Sequence, residues 1–185
     1  LPYKVDVSSF DEVKQAFEKT DKEMGGIDVL VANAGISVRN EIIDIPPEQW
    51  NNVIGINLNG VFHCAQQAGR RMKNQGSGVI LMTSSVNGLE GHKYYADYNA
   101  SKAGVILLSK TLALELAPDV RAVAVCPGYV MTPMQIAEYA EEMFAKANAK
   151  IPLGHHARPE DIAALFAFLA SEEACHINGT TVTID

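Results

Sequence analysis

The sequence predicts an α/β fold in which helices cover both faces of a doubly wound parallel sheet. Short apolar runs alternate with longer helical patterns along all 185 residues, and repeated strand–helix–strand units imply parallel strands. Hydrophobic residues make up 48% of the chain and charged residues 20%, a mixture that supports a sizeable core. This length predicts one domain, spanning residues 1–185.

The first elements follow from local signals. Residues 1–7 are predicted to form a strand, and residues 8–12, Ser-Ser-Phe-Asp-Glu, open a helix because a serine is followed three residues later by an acid. The pair Gly25-Gly26 ends that helix. Residues 27–31 are a short apolar run, typical of a strand that is buried on both faces.

The rest of the chain continues the alternation after a loop at about 33–45. Pro46-Pro47 begins a long helix, since proline is tolerated in the first turn. In the middle of that helix, Asn57 is a poor helix former. It indicates a local distortion or a polar network, and the alternative is a solvent-facing side chain. Further helices are expected at about 98–116, 133–149 and 159–171, and strands at 79–82, 120–125 and 180–185.

Composition excludes several functions. A net charge of −7 disfavours nucleic-acid partners, and the apolar stretch 163–170 is far shorter than the roughly 20 residues of a membrane helix. Cys64, Cys126 and Cys175 are odd in number and widely spaced, which favours a reducing, cytoplasmic setting. The pair His155-His156 lacks further ligands at metal spacing, so no metal is expected.

The most chemically suggestive pair is Tyr98 and Lys102. Four residues apart on a predicted helix, they share one face. A free tyrosine has a pKa near 10, and a neighbouring ammonium lowers it. Tyr98 is therefore a candidate general acid/base for an alcohol proton. The alternative is an ordinary pair on a surface helix, and the neighbouring motifs distinguish between these two interpretations.

Polar or small residues follow three predicted strands, at the sheet edge where such folds bind ligands. Ser84-Ser85 follows the strand 79–82 and offers a hydroxyl to a substrate oxygen. Asn33-Ala34-Gly35 allows a flat cofactor to approach the backbone. Pro127-Gly128, with Thr132 beyond it, suits an amide or a phosphate. Each motif alone is also consistent with an ordinary turn.

Together, in this order and with these gaps, the motifs resemble the short-chain dehydrogenase/reductase family. The resemblance covers essentially the whole sequence and implies a Rossmann-like sheet and an NAD(P)-dependent oxidoreductase that interconverts a secondary alcohol and a ketone. Either a sugar-alcohol or diol dehydrogenase or a 3-ketoacyl-thioester reductase would fit. The alternative from another class is a truncated, non-catalytic fragment that oligomerises.

The resemblance also implies residue roles. Tyr98 would be the acid/base, Lys102 would lower its pKa and hold the nicotinamide ribose, and Ser85 would orient the substrate oxygen. Asn57 would hold a water in a proton relay. NAD or NADP would contact Tyr98, Lys102, Asp6, Val7, Asn33, Ala34, Gly35, Pro127, Gly128, Val130 and Thr132. The substrate would contact Ser85, Asn87, His92 and Tyr98.

One departure from the family concerns the start of the fold. The family opens with a strand and a T-G-x-x-x-G-x-G turn that holds the pyrophosphate, and no run in this sequence matches it. The resemblance therefore implies that residues 1–185 are a single but incomplete Rossmann-type domain, and an upstream segment with the first two strands is expected. NAD or NADP stays open because the second strand normally sets that choice. The resemblance further implies a homotetramer or homodimer formed through the helices at 49–74 and 98–116.

Overall fold

A computed structural model describes residues 2–138 and 141–185, and its centre is a four-stranded parallel sheet in the order β1-β2-β3-β4. Every neighbouring pair is parallel; for example, Val29 lies beside Val79 and Ile80 beside Ala122. The strands are β1 (Val29–Ala32), β2 (Gly78–Thr83), β3 (Val120–Pro127) and β4 (Thr181–Ile184). All of the carboxyl ends therefore meet at one edge of the sheet.

Seven α-helices connect or flank these strands within the described residues. The first begins at the side-chain cap of Ser9, whose hydroxyl oxygen accepts from the Glu12 N–H, and it ends at Gly25, which is left-handed with φ 82°. The helices are α1 (Phe10–Met24), α2 (Pro47–Ile54), α3 (Gly60–Gln75), α4 (Ala96–Glu115), α5 (Pro133–Glu138), α6 (Glu141–Asn148) and α7 (Pro159–Ala170).

Alternate residues of the strands feed two apolar cores. Ile80 and Met82 of β2 point to one face, where α1, α3 and α4 contribute side chains such as Met72 and Val105. Leu81 of β2 points to the other face and packs with α7. The predicted doubly wound sheet with helices on both faces is confirmed.

Two details of the first strands were predicted wrongly. Residues 2–7 form irregular backbone rather than a strand, because they have no strand to pair with among the described residues. Strand β1 is present but is not buried on both faces: Val29 is 40% and Val31 45% exposed. On that face α7 packs against β2 and the strands beyond it, so the edge strand stays uncovered.

The long helix predicted from residue 46 is interrupted where Asn57 lies. Residues Gly55–Asn59 form a π-helical segment between α2 and α3, and Asn57 is fully buried within it. The distortion with a polar network is the correct alternative. The helix predicted at 133–149 corresponds to α5 and α6, and residues 139–140 between them lie outside the described residues. In the part of the chain described, none of the helices is long and apolar enough to cross a bilayer.

Candidate active site

A cavity of about 700 Å³ opens at the carboxyl edge of the sheet. Its floor is formed by the residues that follow β1, β2 and β3, among them Gly35, Ser85 and Gly128, and α7 provides one wall through Ile162 and Phe166. This volume falls within the range of cofactor and small-molecule sites. The position agrees with the prediction that ligands bind where parallel strands end.

Lys102 enters this cavity from the first half of α4. Its side chain is nearly buried, at 3% exposure, and the ammonium donates to the Thr83 carbonyl oxygen at 2.8 Å. Burial lowers the pKa of Lys102 to about 8 because a charged amine loses hydration. The ammonium lies 5.5 Å from the centroid of the Tyr98 ring, so the predicted pair shares one site.

Asn57 forms a hydrogen-bonded network next to Tyr98 and Lys102. Its side-chain oxygen accepts from the Ile36 N–H at 2.8 Å, and its amide donates to the Ile36 carbonyl oxygen at 2.8 Å and to Ser101 Oγ at 3.3 Å. A Cβ placed on Gly35 would lie 3.3 Å from Asn57 Oδ1 and 3.5 Å from Lys102 Nζ. Glycine at position 35 therefore keeps a space open between the amide and the ammonium.

The two serines after β2 have different surroundings. Ser84 Oγ donates to the Lys102 carbonyl oxygen at 2.8 Å and is buried against α4. Ser85 lines the cavity beside Tyr98, and its oxygen accepts from the Asn87 N–H at 3.2 Å. Ser84 thus holds the helix that carries Lys102, and Ser85 presents a hydroxyl to the cavity.

A smaller chamber of about 100 Å³ adjoins the main cavity. Ser85 and Tyr98 line both spaces, and Asn87 and His92, predicted as substrate contacts, line the smaller one. The Asn87 amide donates to Asn99 Oδ1 at 2.8 Å. The structure therefore brings the four predicted substrate residues to one place.

The loop after β3 also lines the main cavity. Pro127, Gly128, Val130 and Thr132 line it, as do Asn33, Ala34 and Gly35 after β1. A Cβ on Gly128 would lie 2.5 Å from that of Asp185, so only glycine allows this loop to pack against the end of β4. The loop is fastened further along, where the Met131 N–H donates to the Ala157 carbonyl oxygen at 2.9 Å.

Two predicted cofactor residues lie apart from this cavity. Asp6 Oδ1 accepts from the Ser8 N–H at 2.9 Å and from the Ser8 hydroxyl at 2.7 Å, and these bonds lower the pKa of Asp6. Val7 packs against α3, where a Cβ on Gly60 would lie 2.7 Å from its Cγ2. Neither residue is among those that line the cavity, so their cofactor role stays a prediction.

Several lining residues had no signal in the sequence. Ser37, Tyr129 and Gln135 line the smaller chamber, and the Thr83 contact to Lys102 uses a backbone oxygen. Backbone acceptors carry no side-chain signature, and isolated loop residues repeat no motif. Only Ser37 lies close to a predicted motif, two positions after Gly35.

Comparisons with known proteins agree with this geometry. A family described as enoyl-(acyl carrier protein) reductase matches residues 1–185. The 3-oxoacyl-[acyl-carrier-protein] reductase FabG of Thermotoga maritima is 41% identical over 187 residues, covering 100% of this chain and 75% of that protein. An acetoacetyl-CoA reductase of Shinella zoogloeoides is 38% identical over 182 residues, covering 98% and 76%.

Solved structures give the same result. A short-chain type dehydrogenase/reductase from Mycobacterium marinum superimposes with a TM-score of 0.93 at 37% identity, covering 100% of this chain and 74% of that one. A gluconate 5-dehydrogenase from Burkholderia cenocepacia, in complex with NADP and tartrate, has a TM-score of 0.93 at 30% identity, covering 97% and 71%.

The chain therefore belongs to the short-chain dehydrogenase/reductase family. It is an oxidoreductase that acts on CH–OH groups with NAD or NADP as its cofactor. The residues present fit that cofactor in two respects. The Lys102 ammonium has three donors and uses one for Thr83, and Gly35 leaves room beside it.

Proposed function

We propose that this enzyme interconverts a secondary alcohol and a ketone, with Tyr98 as the acid/base and Asn57, Ser85 and Lys102 as its partners. The convergence of Ser85, Tyr98 and Lys102 on one cavity carries the proposal. These residues come from the end of β2 and from α4, which only the folded sheet brings together. A surface pair at positions 98 and 102 would not place a nearly buried ammonium at the carboxyl ends of the strands.

Tyr98 would donate its hydroxyl proton to the carbonyl oxygen during reduction and take the proton back during oxidation. With a pKa of about 8, Lys102 is largely charged at neutral pH, and its ammonium, 5.5 Å from the Tyr98 ring, favours the phenolate. Ser85 would donate to the same carbonyl oxygen, where negative charge develops.

Asn57 would complete the site by holding a water that passes protons toward Lys102. Both ends of its amide are fixed to the Ile36 backbone at 2.8 Å, and its oxygen and the Lys102 ammonium lie within 3.5 Å of the same point beside Gly35. A rigid amide in that position suits a proton relay better than a solvent-facing one.

The cofactor would lie across the floor of the cavity. Lys102 would hold the ribose hydroxyls, Asn33, Ala34 and Gly35 would line the adenosine side, and the loop from Pro127 to Thr132 would face the nicotinamide. When bound, the nicotinamide accepts or supplies the hydride, and the protein contributes position and charge.

The experiment is a comparison of Tyr98→Phe with the wild-type enzyme. Cofactor oxidation with a ketone should fall by about 10²- to 10⁴-fold, while fluorescence titration should show that NAD(H) or NADP(H) still binds. Tyr3→Phe is the matched control because Tyr3 bonds Glu23 away from the cavity. If Tyr98→Phe keeps its activity within a few-fold, the assignment of the acid/base is wrong.

We further propose a homotetramer or homodimer formed through the helices at 49–74 and 98–116. Leu107 and Leu114 on α4 are 66% and 83% exposed, and Phe62 on α3 is also exposed, so both helices present apolar side chains that an isologous contact would bury. Light scattering after size-exclusion chromatography gives the mass. Leu114→Glu should dissociate the assembly, and a monomeric wild-type protein would contradict the proposal.

We also propose a single domain at 1–185 and a cytoplasmic location. The apolar cores on the two faces of the sheet share strands β2 and β3, which supports one folding unit. Cys64, Cys126 and Cys175 are all free thiols, which suits a reducing compartment. Limited proteolysis and cell fractionation test the two statements.

A further inference from the structure

The smaller chamber beside Tyr98 has a more polar wall than the main cavity. Its volume of about 100 Å³ is room for about three water-sized groups, at roughly 30 Å³ for each water. Polar side chains dominate the lining, among them Ser37, Asn87, His92 and Gln135. The apolar part of the wall comes from Val86, Met134 and the tyrosine rings.

Two polar atoms on this wall are unsatisfied. Ser37 Oγ and His92 Nε2 are buried and have no hydrogen-bond partner among the residues that the structure describes. A buried polar group without a partner is costly, and each such group in a native protein calls for an explanation. A ligand oxygen that reaches these atoms would satisfy them.

Side-chain hydrogen bonds hold this wall of the chamber in place. The Asn99 amide donates to the His92 carbonyl oxygen at 2.9 Å, and Asn99 Oδ1 accepts from the Asn87 amide at 2.8 Å. Because Asn99 follows Tyr98 directly on α4, this network fixes the backbone of His92 relative to the proposed acid/base. Preorganised polar groups of this kind give specificity.

Resting on the function proposed above, we infer that the substrate is a small ketone or secondary alcohol with a hydroxyl or other oxygen substituent next to the reacting carbon, and that His92 and Ser37 recognise this oxygen. Ser85 and Tyr98 line the chamber and would hold the reacting oxygen at its mouth. With room for about three groups, the chamber receives what is bonded to the reacting carbon. In a 3-ketoacyl thioester that substituent would be a hydrocarbon end, which leaves both polar atoms unsatisfied.

The test uses two ketones of nearly equal size. In 1-hydroxypropan-2-one a hydroxyl stands where butan-2-one has a methyl group, and reduction adds one hydride from the cofactor and one proton to either carbonyl. The wild-type kcat/KM should favour the hydroxyketone by about 10- to 100-fold, since a site built around a hydrogen bond rejects the analogue that lacks it. S-acetoacetyl-N-acetylcysteamine, measured in parallel, should be the poorer substrate.

Variants assign the preference to residues. His92→Phe and Ser37→Ala should each reduce the ratio of the two kcat/KM values at least fivefold. His176→Phe is the matched control, because His176 is exposed near the start of β4, at the opposite edge of the sheet, and it should leave the ratio unchanged. Having two variants protects the test if one of them folds poorly.

The outcomes separate the two proposals. Activity on the ketones without the preference, a preference for the thioester, or a ratio that both variants leave unchanged would overturn the substrate assignment and leave the proposed chemistry standing. Cofactor binding without reduction of any of the three compounds would overturn the proposed function, and the substrate assignment with it.

Discussion

Lys102→Met tests whether the folded protein pays a free-energy cost for keeping the charged Lys102 ammonium away from water. The lysine is 3% exposed and its ammonium bonds the Thr83 carbonyl oxygen. Among the described residues, the salt bridges do not include Lys102. Methionine has a similar volume and no charge, so the substitution removes the titration and largely preserves the packing.

The magnitude follows from the pKa of Lys102. Burial lowers it from 10.5 to about 8, and each pKa unit corresponds to about 1.4 kcal/mol, so the charged native state is penalised by about 3 kcal/mol at pH 7. Between pH 8 and 10.5 the unfolded chain keeps the proton that the native lysine has released. Stability therefore rises with pH in this window, and by pH 10 the penalty falls to about 1 kcal/mol.

The assay is urea unfolding of the wild-type and variant proteins at pH 7, 8, 9 and 10 without cofactor. Relative to Lys102→Met, the wild type should gain about 2 kcal/mol between pH 7 and 10, because only the wild type carries the titrating Lys102 amine. Lys110→Met, which removes an exposed lysine from the same helix, is the control for the change of residue type. A difference that stays constant with pH would refute the reasoning, and loss of reductase activity is expected in Lys102→Met alone.

Three further predictions concern the support of the site. Asn57→Ala should lower the free energy of unfolding by about 2 kcal/mol, because it leaves a half-buried backbone N–H and carbonyl of the loop after β1 unsatisfied. Gly88→Ala should cost about 1–3 kcal/mol and lower kcat, since its Cβ would lie 2.8 Å from the Lys102 carbonyl. Gly91→Ala, with open space around it, is the control for both urea titrations. Burial lowers the pKa of His156, so the wild type should lose thermal stability relative to His156→Phe as the pH falls below 6.5.

Each of these has an outcome that contradicts it. An Asn57→Ala protein as stable as the wild type would mean that the amide is not holding the loop. Equal costs for the alanines at positions 88 and 91 would remove the close approach to α4 as the cause. A melting temperature of His156→Phe that falls with pH as steeply as that of the wild type would place the titrating group elsewhere.

Several elements of the fold could be predicted from the sequence because their signals are local. The cap at Ser9 and the stop at Gly25 depend on a few adjacent residues, and both are present. The poor helix propensity of Asn57 raised a local distortion as one of the open alternatives, and the structure shows that distortion. The parallel sheet then brought the strand ends together, since parallel strands share one carboxyl edge.

The features that the sequence missed depend on neighbours that no local pattern records. Residues 1–7 carry a strand-like pattern, yet a strand needs a hydrogen-bonded partner, and propensity alone supplies none. The exposed face of Val29 and Val31 reflects where α7 packs. Ser37 and His92 line one chamber from two different loops, and no spacing in the chain predicts that Ser37 lies there.

The same geometry explains why a charged lysine stays in the cavity instead of turning to solvent. The Lys102 backbone oxygen accepts from Ser84, and the Lys102 ammonium donates to the Thr83 carbonyl oxygen. Both ends of Lys102 are therefore held by two adjacent residues at the carboxyl end of β2. Gly88 lets the loop touch the helix backbone directly, because any Cβ there would displace it. A strained or poorly solvated group persists only where its surroundings over-determine it. Substitutions in this supporting set should therefore raise the pKa of Lys102 toward its ordinary value as the site loosens, and reductase activity should fall in step with that rise.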